Sequence, residues 1–390
     1  MKSPARLAEF PKTEPSWPSA DIAATSLSPN ERRVLEIVRR QPNMTRAEVT
    51  HETELTAQSI SRIVDSLTDQ GFLTLGKKVP HGRGQPSSQL SIQADAAFGV
   101  GLSIMTDAIS GTVMDLAGNI IAKDWLRLTS VNIDSILEDC RILYDRLLEQ
   151  SGAEHKRVAG VGAGVTGYFI GQGRQLNPPE PLDALAMVEI DHLLAETLQR
   201  PVWVDNDGNV AAMGEALTGA GQRYATFGYI FFAMGVGGAV VINGQVFPGA
   251  FGNAGEFGGV LPPEGHEERP TLELLRRMIA RHGPAPADIY EMIRDFRMET
   301  PGVEDWIAHS LPKLNAIVSA VAAVLDPEAI VLGGRIPKAL AARLAQDITF
   351  YSMPRRGIAK PFPELVISEV QGDAAAIGAA ATPLKARFFS

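Results

Sequence analysis

The chain has 390 residues, 45% of them hydrophobic and 21% charged, which is the composition of a soluble protein with two or three domains. Its only cysteine, Cys140, excludes an intrachain disulfide and a zinc site made of several cysteines. The net charge of -9 argues against nucleic-acid binding over the whole surface. Because we find neither an apolar run long enough to cross a bilayer nor a charged and apolar leader, we expect a cytoplasmic protein without a membrane partner.

The charge is divided unevenly along the chain. Residues 28–92 contain nine basic and seven acidic side chains, whereas residues 93–390 contain 24 basic and 35 acidic ones. A mildly basic module therefore precedes an acidic body, a division that can be functional. Residues 1–27 contain four prolines and show no sustained periodicity, which predicts a flexible extension.

Three helix starts follow one another in residues 28–92. Ser28 with Glu31, and Thr45 with Glu48, have the spacing of capping boxes, in which each side chain accepts a hydrogen bond from a backbone N–H of the first turn. Thr56 is predicted to cap a third helix. Because a tight turn separates the second helix from the third, this order predicts a helix-turn-helix.

The first turns of the third helix carry polar side chains of the kinds that contact base edges in the major groove. The candidates for base contact are Thr56, Gln58, Ser59 and Arg62. Helical trios also serve in contacts between proteins, so DNA binding and protein binding are both open on this pattern alone.

A β-hairpin with a long basic tip is predicted after the third helix, with strands at residues 72–75 and 90–92. Such a hairpin is the wing of a winged helix, whose cations meet phosphates or a minor groove. Lys77, Lys78 and Arg83 are the candidates for these contacts. The alternative is a loop that is only solvated. Cap, turn and wing in this order favour DNA binding.

Predicted strands and helices alternate through residues 93–390, which indicates an α/β fold. The predicted strands include residues 99–104, 112–116, 158–165, 227–233, 329–332 and 364–369. An Ala- and Val-rich helix at residues 311–325 is expected in the core. The pattern predicts two lobes with a ligand cleft between them. We place lobe one at about 93–215 together with a returning helix in 374–390, and lobe two at about 216–373.

The stretch Asp205-Asn206-Asp207-Gly208-Asn209 follows a short apolar run and precedes a helical pattern. An amide beside a carboxylate suits a ligand with many hydroxyl groups, because the amide fixes its orientation and the carboxylate accepts a hydroxyl hydrogen. Asp207 has the chemistry of a general base for phosphoryl transfer as well. The alternative is an Asn/Asp/Gly turn that only caps the helix. In the Gly-rich stretch at residues 252–259, Glu256 is a further candidate for ligand binding.

Two stretches are candidates for phosphate binding. The predicted turn at residues 105–110 lacks the paired glycines with which a sugar kinase cradles ATP phosphates, and its Asp107 and Ser110 are expected to be ordinary turn residues. Gly235-Val236-Gly237-Gly238 follows a predicted strand, but a glycine pattern of this kind alone is weak.

Taken together, the chain resembles the ROK family (repressor, open reading frame, kinase). The motifs that carry the resemblance occur in the family's order: Gly82-Arg83-Gly84-Gln85-Pro86, Asp205-Asn206-Asp207-Gly208-Asn209, Gly235-Val236-Gly237-Gly238, Gly255-Glu256-Phe257-Gly258, Asp326-Pro327-Glu328 through Gly333-Gly334, and Gly372-Asp373 with Ile377-Gly378. The resemblance implies an actin/hexokinase-like, ribonuclease-H-like body behind a mainly α winged helix-turn-helix. It also implies sugar contacts at Asn206, Asp207 and Glu256, and at least a dimer.

The chain departs from the family pattern at several positions. Gly259 stands where many members have a zinc-binding histidine, and no cysteine follows it; His266 alone would make a poor zinc site, so we expect neither a metal nor a cofactor. The usual second arginine of the wing is replaced by Gln85, which weakens the expected minor-groove contact.

The leading hypothesis is a sugar-responsive repressor of carbohydrate uptake or catabolism genes that binds a palindromic operator as a homodimer or homotetramer. A sugar or sugar derivative would bind between the lobes and change the spacing of the winged helices. One alternative is an ATP-dependent sugar kinase with Asp207 as general base, although the missing phosphate loop predicts that the chain is not an enzyme. Another is a regulator that has lost its ligand.

Overall fold

The computed structural model describes residues 21–79, 87–128, 130–170, 175–352, 357–358 and 360–390. The wing motif at residues 82–86, with the predicted contact Arg83 and the departure at Gln85, lies outside these described residues, as does the side chain of Lys78. The described part of the chain forms a helical domain with a β-hairpin, followed by an α/β body with two five-stranded sheets.

The N-terminal domain has three helices and one hairpin: α1 Pro29–Arg40, α2 Arg46–His51, α3 Ala57–Asp69, β1 Leu73–Val79 and β2 Ser87–Ile92. Both predicted capping boxes are present, and the Thr56 side chain caps α3. At the first box, the Ser28 N–H donates to the Glu31 carboxylate at 2.9 Å. Strands β1 and β2 pair antiparallel, as expected for a winged helix.

Residues 21–27 are a correction to the predicted flexible extension. Ile22–Ala24 form a short 3-10 helix, and the Asp21 carboxylate accepts two hydrogen bonds of 2.7 Å from the buried Arg200 guanidinium. Arg387 donates to the backbone oxygen of Ala23 at 2.7 Å. No local pattern predicts this docking, because both partners lie far along the chain.

The first sheet of the body has the strand order β5-β4-β3-β6-β9, in which β3, β6 and β9 run parallel. The elements of this lobe are β3 Phe98–Ile104, β4 Ala108–Asp115, β5 Ile120–Arg127, α4 Ile133–Ser151, β6 Val158–Val165, the hairpin β7 Tyr168–Ile170 with β8 Gln175–Asn177, α5 Ile190–Leu198 and β9 Val202–Asn206. Because β3 and β6 are buried along their whole length, they form the core of lobe one.

The second sheet has the order β12-β11-β10-β13-β14, with β10, β13 and β14 parallel. The elements of this lobe are β10 Phe227–Phe232, β11 Val236–Ile242, β12 Gln245–Phe247, α7 Leu272–Ile279, α8 Ile289–Arg294, α9 Val303–Leu325, β13 Ala329–Gly334, α10 Lys338–Asp347 and β14 Glu364–Ile367. Among the described helices, α9 is the one long and apolar enough to cross a membrane by length and composition. Its Trp306 and Ile317 are fully buried in the core of lobe two, as in a core helix.

Two helices, α6 Asp207–Thr218 and α11 Ala374–Phe388, pack against each other beside the sheets. Helix α11 approaches both α6 and strand β3 so closely that only glycine fits at the contact points. A Cβ on Gly378 would lie 1.8 Å from the Val210 carbonyl oxygen, and one on Gly101 would lie 2.0 Å from that of Ala376. Helix α11 is therefore held tightly between α6 and strand β3.

Candidate functional site

Asn206 ends strand β9 and caps helix α6. Its Oδ1 accepts from the backbone N–H of Asn209 at 3.2 Å, and its Nδ2 donates to the backbone oxygen of Gly167. The capping alternative therefore describes Asn206 correctly. A side-chain amide has two lone pairs and two N–H groups, so these two bonds use one of each.

Asp207 is the first residue of α6 and is buried at its N-terminus. One carboxylate oxygen accepts from the Thr166 hydroxyl at 2.7 Å, and the other accepts from the Gly208 N–H at 2.9 Å. Burial raises the pKa of the Asp207 carboxyl to about 6, and the negative charge of Asp373 adds to the rise while the two hydrogen bonds oppose it. The group therefore titrates close to neutral pH.

Glu256 lies in the Gly-rich loop that leads into the 3-10 helix Phe257–Val260. Burial raises the pKa of its carboxyl to about 7; the charge of Asp207 contributes to the rise, and the charge of Arg269 opposes it. A Cβ on Gly237 would lie 3.6 Å from a Glu256 oxygen, so the carboxylate rests against strand β11. The charge of Asp207 acts on Glu256, so these two predicted ligand-binding carboxylates lie near each other; their contact with a sugar stays a prediction.

A reciprocal pair of hydrogen bonds joins the lobes near these carboxylates. The Asn253 Oδ1 accepts from the Phe169 N–H at 2.8 Å, and the Asn253 Nδ2 donates to the Phe169 oxygen at 2.8 Å. We call this pair the clasp. Sequence reasoning missed it and missed Thr166; an Asn between glycines was a signal for the first, but the backbone of Phe169 offers none.

The turn between β3 and β4 corrects the expectation that Asp107 and Ser110 are ordinary turn residues. Asp107 is 8% exposed and forms a bidentate ion pair with Arg335, with N–O distances of 2.6 and 3.0 Å. It also accepts from the Tyr290 N–H at 2.8 Å. The Ser110 hydroxyl donates to Asp373, which caps α11. The chain's own groups thus occupy this turn.

Gly235-Val236-Gly237-Gly238 is mainly part of a strand rather than a phosphate loop. Gly237 pairs with Phe231 and Gly238 with Ile230 in the β10–β11 ladder. A backbone whose polar groups are paired within a sheet has few N–H groups left for a phosphate, so this weak pattern carries no site.

The candidate DNA-binding residues divide into two kinds. Gln58 and Arg62 are exposed on α3, and Lys77 is exposed on β1. The hydroxyls of Thr56 and Ser59 lie 2.9 Å apart and are engaged in capping α3. Gln58 and Arg62 therefore have the freer side chains for reading bases, and Thr56 and Ser59 have a structural role as well.

The described residues include no group of three or more His, Cys, Asp or Glu side chains arranged to hold a metal ion. Gly259 is exposed, with no atom within 4 Å of an added Cβ, and His266 lies on the surface of the following 3-10 helix.

These features define a class of protein: a two-lobed α/β body of the actin and hexokinase type, with polar groups between its lobes and a winged helix-turn-helix in front. A model of the ROK family matches residues 99–270, and a model of the MarR family matches residues 25–84. The chain therefore carries a ROK family domain behind a MarR-type winged-helix domain.

Several relatives share part or most of the chain. The protein y4fQ of Sinorhizobium fredii is 29% identical over 367 residues, 93% of either chain. The xylose repressor of Bacillus subtilis is 24% identical over 231 residues, 59% of either chain. A glucokinase of Halalkalibacterium halodurans is 28% identical over 318 residues, 72% of this chain and 92% of the kinase.

The fold also matches a solved structure over nearly its full length. A ROK family transcriptional regulator, described as a homologue of the E. coli MLC protein, has a TM-score of 0.65 with 19% identity, and the match covers 92% of this chain and 96% of the regulator. At this identity the likeness concerns the fold alone, and it extends over both the winged helix and the body.

Proposed function

We propose that the protein is a transcriptional repressor that binds DNA through its winged helix and responds to a sugar bound between its lobes. The observation that carries the proposal is the combination of a winged helix with exposed Gln58 and Arg62 and, in the body, two neighbouring carboxyls, Asp207 and Glu256, whose pKa values burial raises. Its similarity to xylose repressors supports the same function. On this basis the protein works in the cytoplasm, where the genes for carbohydrate uptake or catabolism are transcribed.

The chemistry of the cleft favours a ligand with many hydroxyl groups. Asp207 and Glu256 accept hydrogen bonds when ionised, and the Asn206 amide donates. Each sugar hydroxyl donates one hydrogen bond and also accepts, so two neighbouring hydroxyls can satisfy all three groups. A ligand that carries a negative charge next to two carboxylates would be repelled, so the proposal favours a neutral sugar.

A homodimer or homotetramer on a palindromic operator follows from the proposal, because winged-helix repressors read two half-sites through a two-fold axis. In that arrangement Gln58 and Arg62 of each protomer would read base edges, with Thr56 and Ser59 beside them. Lys77, Lys78 and Arg83 would contact phosphates or a minor groove.

A sugar kinase is the second candidate, and one observation favours it: Asp207 is buried and titrates near neutral pH, as a general base for an attacking hydroxyl should. The relation to a glucokinase points the same way. Against it, the turn at residues 105–110 lacks the paired glycines of a phosphate loop, and its Asp107 is already engaged by Arg335. Sugar-dependent ATP consumption that Asp207→Asn abolishes would establish the kinase.

The test of the proposed function is fluorescence anisotropy of the purified protein on the DNA upstream of its own gene, at a stated salt concentration. D-xylose, D-glucose, amino sugars, polyols and their phosphates are then titrated into the complex. We expect sequence-specific binding that one neutral sugar weakens or tightens. Binding that is weak, salt-sensitive and indifferent to every sugar would overturn the repressor.

A further inference from the structure

Arg269 lies beside the loop that carries Glu256, and sequence reasoning did not single it out. A Cβ on Gly258 would lie 3.4 Å from Nη1 of Arg269 and 2.6 Å from the backbone oxygen of Val236. A Cβ on Gly237 would lie 3.6 Å from a Glu256 oxygen. The guanidinium and the carboxylate therefore both lie at the start of strand β11.

The Arg269 guanidinium has donors that no group in the described part of the chain fills. Its Nε is buried, and the side chain forms no hydrogen bond or ion pair with a described residue. Arg276 and Arg277 in the following helix α7 differ, because they pair with Glu273 and Glu267. A buried N–H without an acceptor costs free energy, so the guanidinium is suited to an acceptor that comes from outside the chain.

The Glu256 carboxylate is also without a hydrogen bond from the residues that the structure describes. Burial and the charges of Asp207 and Arg269 act on its pKa, and no hydrogen bond contributes. Asp207 differs, because two hydrogen bonds hold its carboxylate. An acceptor at Glu256 and a donor at Arg269 thus lie near each other, and both are available to a ligand.

The backbone around Glu256 is fixed on both sides. Its N–H donates to the backbone oxygen of Asn253, the asparagine of the clasp, at 3.3 Å, and its own oxygen accepts from the Gly259 N–H at 2.9 Å. The preceding Gly255 packs so closely on β11 that a Cβ there would lie 2.4 Å from the Cα of Ala239. An ordered loop therefore presents the carboxylate, which lowers the entropic cost of binding a ligand.

A hydroxyl is the neutral group that suits both side chains at once. It donates one hydrogen bond, which an ionised Glu256 accepts, and its oxygen accepts from the N–H groups of Arg269. A ketone or ether oxygen only accepts and an ammonium group only donates, so neither satisfies both side chains. A phosphate or carboxylate would be attracted by Arg269 and repelled by Glu256 and Asp207.

We propose that Arg269 determines which sugar binds: one hydroxyl of the ligand donates to Glu256 and accepts from Arg269. That the ligand is a sugar rests on the proposed function, whereas the proximity of the two side chains belongs to the free protein. A sugar without this hydroxyl would leave both charged groups without a partner, so the pair selects against deoxy sugars.

The first measurement is a carbon-13 NMR titration of the Glu256 carboxyl in the ligand-free protein, with Glu256→Gln identifying the signal. The charge of Arg269 opposes the rise in the pKa of Glu256, so Arg269→Gln is expected to raise the titration midpoint by about one pH unit. Arg269→Lys keeps a positive charge and should leave the midpoint close to that of the wild type. An unchanged midpoint in Arg269→Gln would overturn the proposal, because the groups would then be too far apart to share a hydroxyl.

The second measurement is titration calorimetry without DNA, using D-xylose, D-glucose, D-galactose and D-sorbitol and then the monodeoxy forms of whichever sugar binds. Arg269→Gln is expected to raise the Kd of that sugar about 10- to 100-fold, because a hydrogen bond to a charged group is lost. One deoxy form, which lacks the bridging hydroxyl, should bind the wild type weakly and Arg269→Gln equally weakly. If Arg269→Gln does not fold, Arg269→Lys replaces the planar guanidinium and should weaken the parent sugar several-fold.

The matched control is Arg277→Gln, which removes the guanidinium paired with Glu267 and should change neither measurement. Equal sugar affinity in the wild type and Arg269→Gln would overturn the role of Arg269 and leave the proposed function standing. The role would also be overturned if Arg269→Gln weakened every deoxy form as much as the parent sugar. A wild type that binds none of the four probes would overturn the hydroxyl ligand together with the sugar response, whatever the NMR titration gives.

Discussion

Asp207 and Glu256 both carry a pKa raised toward neutrality, to about 6 and about 7, chiefly because burial disfavours their charged forms. A carboxyl whose folded-state pKa exceeds its unfolded value stabilises the fold below the unfolded pKa, and this contribution disappears as the pH rises through the folded pKa. Between pH 5 and pH 8 the two carboxyls therefore lose this contribution to fold stability, and they become ionised groups whose oxygens accept hydrogen bonds.

The pH dependence of sugar binding follows from these groups. A hydroxyl donates to an ionised carboxylate, so the sugar affinity is expected to rise as the pH increases from about 5 to about 8. Titration calorimetry with the sugar found by anisotropy measures this profile. Glu256→Gln, which cannot ionise, should flatten the upper part of the profile; an unchanged profile would remove Glu256 from the site.

Truncation of Arg62 and truncation of Lys77 are expected to weaken DNA binding in different ways. Arg62→Ala should weaken operator binding by about 1–3 kcal/mol at the base pair it reads and relax the preference there. Lys77→Ala should weaken binding to all DNA sequences alike and reduce the slope of log affinity against log salt concentration by about 1. Anisotropy titrations on operator variants at several salt concentrations distinguish the two; equal effects on every sequence would deny Arg62 a role in base recognition.

At the level of single residues, local chemistry was predictable and distant partners were not. The caps at Ser28, Thr45 and Thr56 follow from residues three positions apart, and sequence reasoning found all three. The partner of Asp107 lies 228 residues further along the chain, so no local pattern reveals it. The sugar contacts of Asn206, Asp207 and Glu256 stay predictions.

Among the elements, α11 connects the cleft to the DNA-binding domain. Asp373 caps its first turn near Asp207, and its far end reaches the helical domain, where the Phe388 ring lies 5.4 Å from that of Phe72. Arg32 of α1 donates to the Phe389 oxygen at 2.8 Å. A shift of α6 would therefore be passed to α1 through the single helix α11, which contacts both.

Phe388→Ala tests this connection. Removing the buried Phe388 ring beside Phe72 leaves a cavity at the junction, and we expect the free energy of unfolding to fall by about 3–5 kcal/mol. We expect operator affinity and its response to sugar to fall together, because the winged helix is no longer fixed to the body. Phe362→Ala, which loses a stacked contact with Phe350, is the control and should keep both. An unaltered sugar response in Phe388→Ala would contradict a role for α11.

Most elements could be predicted from the sequence because their apolar periodicity is local. The predicted bounds were wrong where tertiary packing or strand pairing determines them. Strand β6 has the bounds that were expected, 158–165. Residues 303–310, expected to be helical, are continuous with the predicted helix 311–325 in the single helix α9, because Trp306 and Ile307 bury its first turns. The glycines before Ala239 joined strand β11 because the facing strand β10 pairs with them.

For the whole molecule, the attachment of the helical domain to the body depends on a buried charge. Asp21→Asn removes the carboxylate from the fully buried Arg200, so we expect the free energy of unfolding to fall by about 3 kcal/mol. Urea unfolding measures the change. Glu138→Gln removes the carboxylate of an exposed Arg141 pair and should leave the midpoint unchanged. Equal midpoints for both variants would mean that the docking of residues 21–27 contributes nothing.

The docking of residues 21–27 constrains how the DNA-binding domain can move. The chain enters this domain from a segment fixed to Arg200 and leaves it directly into the first sheet, where Asp95 pairs with Arg157. With the end of α11, the DNA-binding domain is thus attached to the body at three points. A small shift at one of these points would tilt the domain rather than translate it. In a dimer, opposite tilts would turn two recognition helices away from half-sites about 34 Å apart.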